Sequence, residues 1–240
     1  MSDKLSKFPR ISPASEASLN RESWKIFQIM AEFVEGFERL APINSSVSIF
    51  GSARIKPDHP YYKTAEEIAQ KLSDAGFSVI SGGGPGIMEA ANKGAQQGKS
   101  LSIGLNIQLP KEQLPNSFQD VKLHFRHFFS RKVMFVKYAS AYIVCPGGFG
   151  TLDEMAEMLT LVQTGKTRAI PVILVNKKFW LPLLDWFKNT LQAGDMITTD
   201  DLKLFKLIDE PDEVVKAIFD HYEHRDINPS AEEQEILLQL

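Results

Sequence analysis

Two glycine-rich runs, Gly82-Gly83-Gly84-Pro85-Gly86 and Pro146-Gly147-Gly148-Phe149-Gly150, each follow a short apolar stretch and open a helical pattern. That placement constrains the fold more than any other feature of the chain. The short stretch Ser46–Phe50 and the continuous apolar run at 141–145 read as strands with both faces covered. Strands of this kind belong to parallel sheets, whose crossover helices lie on the two faces. The rest of the chain keeps the alternation. Strands are expected at 46–50, 77–81, 101–107, 121–125, 141–145 and 170–175, and helices at 61–75, 87–97, 130–139, 151–164, 179–192 and 211–221. The fold class is therefore α/β: three layers around a mostly parallel sheet.

Ahead of this pattern, residues 22–40 read as an amphipathic helix. Trp24, Phe27, Ala31 and Val34 recur at helical spacing, with Ile26, Met30, Phe33 and Phe37 beside them. The reading divides the chain into a tail and helical arm at 1–44, an α/β domain at 45–225 and an acidic tail at 226–240 that ends in a short helix. Residues 1–20 are expected to be loosely held. A chain of 240 residues can form one sizeable core without staples. Its net charge of −3 gives no basic field for nucleic acid or an anionic membrane. One cysteine allows no internal disulfide, no run reaches the length of a membrane span, and the opening residues lack the apolar stretch of a signal peptide. A cytoplasmic location is the expectation.

In open α/β sheets ligands bind outside the carboxyl ends of the strands. Three turns fall there: Gly51-Ser52, the run containing Gly83, Gly84 and Gly86, and the run containing Gly147, Gly148, Gly150 and Thr151. Each can present unpaired N–H groups, and the two glycine runs add the positive end of a helix dipole, which suits a phosphate. A single such turn is equally explained by a need for positive φ; two at one sheet edge favour a ligand. Neither run matches the G-x-G-x-x-G dinucleotide fingerprint. The stretch from Gly94 to Ser100 is one residue short of a P-loop and follows a helix instead of opening one. Gly148-Phe149-Gly150 lacks the serine of a nucleophile elbow.

Charged residues gather near these turns. With Ser130 as N-cap, Arg131 and Lys132 fall in the first turn of a helix, where cations oppose the dipole unless an anion lies close. Glu154 and Glu157 share one face of the 151–164 helix, which is apolar around much of its circumference and so expected in the core or an interface. Glu154 has two readings. Thr151 and Glu154 form the T-x-x-E of a capping box, and Glu154 also suits a buried catalytic carboxylate. His124 and His127 lack the companions of a zinc site, so no metal is expected. Cys145 reads as a packed thiol.

Gly82 to Glu89, the Arg131-Lys132-Val133-Met134 segment and the run from Pro146 to Glu154 together resemble the LOG ("Lonely Guy") family of cytokinin riboside 5′-monophosphate phosphoribohydrolases. The last run matches P-G-G-x-G-T-x-x-E at every fixed position, and the resemblance spans residues 45–222. It implies a Rossmann-like fold, no cofactor, and hydrolysis of the base–ribose bond of an adenosine-type 5′-monophosphate. It puts Arg131 and Glu154 at the catalytic positions and Met134 among the substrate contacts. Gly147, Gly148, Gly150 and Thr151 would hold the phosphate, with Lys132 and Glu157 in support. It also implies a homodimer or higher homo-oligomer. Members often carry the label lysine decarboxylase, yet nothing here resembles a Schiff-base lysine site for pyridoxal phosphate. The alternatives are a non-hydrolytic carrier, such as the related molybdenum-cofactor carriers, which keeps the turns and can dispense with Glu154, and a nucleotide-sensing scaffold that binds without turnover.

Overall fold

The structure, a computed structural model, describes residues 16–43, 45–110, 114–223 and 230–238. The expectation for residues 1–15, and for 226–229 of the acidic tail, lies outside the described residues. In chain order the elements are α1 (Glu16–Leu40), β1 (Ser46–Phe50), α2 (Pro60–Asp74), β2 (Ser78–Ser81), α3 (Ile87–Gln97), β3 (Ser102–Ile107), β4 (Val121–Phe125), α4 (Phe128–Tyr138), β5 (Ala139–Val144), α5 (Phe149–Gln163), β6 (Val172–Leu174), α6 (Lys177–Trp186), β7 (Lys206–Leu207), α7 (Pro211–Tyr222) and α8 (Ala231–Leu238).

The seven strands form one sheet in the order β4-β3-β2-β1-β5-β6-β7. Every neighbouring pair is parallel. Successive residues of a strand face opposite layers, and the two cores follow that rule. Val47, Ile49, Val79 and Ile143 pack under α2, α3 and α7. Phe50, Ile80, Leu105 and Tyr142 pack with Phe135 of α4, Met155 and Met158 of α5 and Trp180 of α6. The strand order reverses between β1 and β5, which makes their carboxyl ends the switch point where such sheets open a crevice.

Several boundaries moved. α1 begins at Glu16, so residues 16–20 are helical instead of loosely held. The 179–192 helix is α6 followed by a π-helical turn, Phe187–Gln192. β7 was missed: two residues long, with Lys206 exposed, it carries no apolar run to find. α5 is less enclosed than its composition implied. It buries Thr151, Met155 and Met158, while Leu152, Leu159, Leu161 and Val162 are half-buried and Ala156 is exposed.

α1 lies across α4, turning Glu32, Gly36 and Leu40 inward. A Cβ on Gly36 would meet the Met134 sulfur at 2.7 Å, so a larger residue there would displace the Met134 side chain. The outward stripe of Trp24, Phe27, Met30, Val34 and Phe37 is exposed.

Candidate functional site

A cavity of about 600 Å³ opens at the switch point. The turn after β1 supplies Gly51 and Ser52, the glycine run after β2 supplies Gly84, α4 supplies Arg131, and the start of α5 supplies Gly148, Gly150, Thr151 and Glu154. The turns are tied to one another by backbone. Ser52 N–H donates to the Pro146 carbonyl at 3.1 Å, and Ile87 N–H at the head of α3 donates to the Ser52 carbonyl at 2.9 Å.

The head of α5 is the part best suited to an anion. Its N-cap is Gly148 and no side chain caps it. The Leu152 N–H bonds back to the Gly148 carbonyl at 3.0 Å. Ahead of it, Phe149, Gly150 and Thr151 have no intrahelical acceptor, and all three line the cavity. Gly148 has φ −97°, and a Cβ built there or on Gly150 meets nothing within 4 Å. Neither glycine is demanded by the packing of the chain itself. Gly147 differs: off the cavity wall, its Cβ would fall 2.5 Å from the Thr151 Cβ, so it closes the turn.

The Gly82–Gly86 run serves the site in a different way. Gly83, at φ +73°, gives its N–H to the Ser81 hydroxyl at 3.0 Å and takes Asn116 and Gln119 amide groups at its carbonyl. Its polar groups are therefore used inside the protein. Gly86, at φ +71°, packs against Ser52 and Ala53 backbone and caps α3. Neither Gly83 nor Gly86 lines the cavity, and only Gly82 and Gly84 of the run do. Beneath the turn lies a buried amide lattice. Asn92 Oδ1 accepts from the Ser81 hydroxyl at 2.6 Å and from Asn116 Nδ2 at 2.9 Å, while Asn106 Nδ2 donates to Gln119 Oε1 at 2.9 Å. A lattice satisfied in this way holds the turn rigidly.

Arg131 is buried; its Nε donates to the Leu105 carbonyl at 2.8 Å and its guanidinium lies 5.1 Å from the Phe135 ring centre. A Cβ on Gly82 would strike Arg131 Nη2, so that glycine makes room for the guanidinium on the wall. Burial raises the Glu154 carboxyl to about 7, with Arg131 opposing the rise. Burial likewise pulls Arg131 down from its ordinary range, and Glu154 acts the other way. Among the described residues neither side chain is in a direct ion pair.

The capping-box reading of Glu154 is overturned. The helix starts two residues before Thr151, so Thr151 is inside it and Glu154 falls in its second turn. The expected cap of the Arg131 helix also moves. α4 starts at Phe128 with His127 as N-cap, and Ser130 is its third residue. Lys132 and Glu157 are off the cavity wall: Lys132 Nζ bridges Asp153 at 2.9 Å and Glu157 at 3.2 Å. Met134 is fully buried beneath α1, also off the wall.

Other wall residues were not singled out from the sequence. Arg54 follows the first turn, and Asn106, Ile107, Leu109 and Phe128 also line the cavity, as do Met88, Phe149 and Asp153 of the recognised motifs. Phe149 is 92% exposed at the head of α5. The varied position of a motif signals nothing alone, and Arg54 gained meaning only once β1 was placed beside β5. His124 is exposed on β4, and His127 turns to Glu32 of α1. Among the described residues no three His, Cys, Asp or Glu cluster as a metal site, and no helix is long and apolar enough to cross a membrane. Burial pushes the Cys145 thiol up to about 12.

The chain has known relatives in sequence and in fold. The profile of the family described as "Possible lysine decarboxylase" matches residues 88–218, more than half the chain. An uncharacterized protein of Archaeoglobus fulgidus is 33% identical over 100 residues, 41% of this chain and 64% of that one. Cytokinin riboside 5′-monophosphate phosphoribohydrolase LOG of rice (Oryza sativa subsp. japonica) is 29% identical over 140 residues, 56% of each chain. The matched stretch is thus less than two thirds of the length of either relative. The probable phosphoribohydrolase LOG4 of rice is 26% identical over 177 residues, 72% of this chain and 76% of that one. In fold, the chain is similar to the molybdenum cofactor binding protein of Rippkaea orientalis, with a TM-score of 0.55 at 22% identity over 74% of this chain and 97% of that one. The Moco carrier protein of Chlamydomonas reinhardtii gives 0.51 at 17% identity, covering 82% and 99%. With a Rossmann-like parallel sheet, the P-G-G-x-G-T-x-x-E run at the switch point and a profile match over more than half its length, this chain belongs to the LOG family, whose profile bears the lysine decarboxylase label.

Proposed function

We propose that the protein hydrolyses the N-glycosidic bond of an adenosine-type nucleoside 5′-monophosphate, AMP or a cytokinin riboside monophosphate, to free base and ribose 5-phosphate. One observation carries the reading: half-buried Glu154 and buried Arg131 share a cavity wall with the uncapped head of α5. In this reading the 5′-phosphate sits at the N–H groups of 149–151, with Arg54 as a second cation beside it. The C1′–N bond breaks with its electron pair leaving on the base. Ionised Glu154 faces the cationic ribose and takes a proton from the water whose oxygen bonds to C1′; that proton then passes to the departing base nitrogen, so the base leaves neutral and Glu154 is again ionised. Arg131 favours the ionised form of Glu154 and meets the departing base. Names of LOG relatives, which are phosphoribohydrolases, support a hydrolase.

The test is a panel of nucleosides and nucleoside 5′-monophosphates assayed for released base. Release from AMP or an N6-substituted analogue, with adenosine far slower, is expected, because the phosphate supplies binding energy used in the transition state. Tight nucleotide binding without release would turn the reading to a carrier.

A further inference from the structure

We propose that Glu32, on the N-terminal helix α1, is a positioning residue for Arg131, so that docking of α1 sets the geometry of the cavity's guanidinium. The kinetic part of this inference rests on the proposed reaction; the geometric part does not. α4, the helix that carries Arg131, has no cap from its own N-cap side chain. Glu32, 94 to 98 residues away, instead ties together the residues on either side of its start. Its carboxylate accepts the Arg126 N–H at 2.7 Å, lies 3.2 Å from His127 Nδ1, and accepts the Ser130 hydroxyl. Glu32 is only 8% exposed. Burial alone would raise its carboxyl, yet the bonds from Ser130, Arg126 and His127 outweigh burial and hold it below the ordinary range.

A buried carboxylate with three partners is not a solvated arm residue; it anchors α1 to the first turn of α4. A negative charge there also complements the helix dipole. Arg131 directly follows Ser130. Its side chain is held from the β3 side by the Leu105 carbonyl and one turn on by Phe135. Those contacts aim the guanidinium, while Glu32 fixes where the helix beneath it begins. The Gly36–Met134 approach seats α1 one turn further along the same helix. Loss of Glu32 frays the turn and displaces the guanidinium, leaving the head of α5 untouched.

The experiment uses the full chain with Glu32→Ala, Glu32→Gln and Arg131→Ala. Base release from AMP and amide hydrogen exchange across residues 126–134 are measured together. Glu32→Ala is expected to lower kcat about tenfold or more with KM within about twofold, since a small misplacement costs turnover before phosphate binding. Glu32→Gln recovers most of the loss, because its amide oxygen still accepts the Arg126 N–H. In an Arg131→Ala background, Glu32→Ala adds no further loss of kcat. Exchange quickens at 128–131 and stays unchanged in β1 and β5. Unchanged kcat in Glu32→Ala, or full additivity in the double variant, overturns the proposal. If no nucleotide releases base, the reaction reading fails and exchange alone decides: quickening confined to the head of α4 supports the positioning role, and none overturns it. If Glu32→Ala does not fold, Ser130→Ala removes one partner and is expected to lower kcat about threefold at constant KM; an unchanged kcat there overturns it equally.

Discussion

With its carboxyl raised to about 7, Glu154 is half ionised near neutral pH. If turnover needs the carboxylate, kcat/KM should rise through an acid limb centred near 7 and level off above it, as read from a pH–rate profile on AMP. An acid limb near the ordinary glutamate value would count against Glu154. Glu154→Gln should lower turnover about a hundredfold or more while nucleotide binding, measured by calorimetry, persists. Its effect on stability has a sign that depends on pH. The native carboxyl holds its proton more tightly than the unfolded one, so the ionisable side chain contributes less stability as pH rises from the ordinary value of 4.5 to about 7. Glutamine has no such penalty. The variant should be more stable than the parent at pH 8, by roughly 3 kcal/mol at most and read as a higher thermal midpoint, and much less so at pH 5. Since Glu154 caps nothing, no loss of the α5 start offsets that gain.

At the scale of elements, the head of α5 separates the needs of the fold from those of a ligand. Gly148→Ala and Gly150→Ala meet no neighbour within 4 Å. In the helix, alanine at 150 should even stabilise by up to about 1 kcal/mol. Both variants are expected to keep the parent's thermal midpoint or exceed it, yet raise KM for AMP about tenfold by crowding the anion. A normal KM in both would move the phosphate away from this turn. Gly147→Ala should instead destabilise, because its Cβ would collide with Thr151. The sequence made these turns legible because a strand buried on both faces and a glycine-rich turn are local signals. The helix starts were not. α4 starts after His127 and is tied there to a residue nearly a hundred positions away, and α5 starts after a glycine, so neither shows the Ser, Thr, Asp or Asn that marks a start. The amide lattice was equally invisible: Asn92, Asn116 and Gln119 are unremarkable until the fold brings them under one turn. Hence Gly83, read from the sequence as a phosphate donor, turned out to be engaged by that lattice and Ser81.

For the whole molecule, the outward face of α1 is the feature one copy of the chain leaves unexplained. α1 commits Glu32, Gly36 and Leu40 to α4 and leaves Trp24, Phe27, Met30 and Val34 in solvent, with Trp24 69% exposed and edge-on to Phe27. A contiguous exposed apolar stripe of this kind marks an association surface. The half-buried flank of α5, with Leu152, Leu159, Leu161 and Val162, adds a second one. The expected state is a homo-oligomer, at least a dimer, and light scattering at micromolar concentration should give a mass of two chains or more. Trp24→Ser with Phe27→Ser removes aromatic area from the stripe and touches neither Glu32 nor the cavity wall. If α1 makes the contact, this pair should lower the oligomer's mass or its affinity by about tenfold or more, given the weight that central aromatic residues carry in interfaces. The same pair should leave the monomer folded, because both side chains are already in water. A monomeric parent would remove the oligomer from the account. An oligomer unchanged by the pair would move the contact from α1 to the flank of α5, where Leu159→Ser and Val162→Ser are the next variants to weigh by the same measurement.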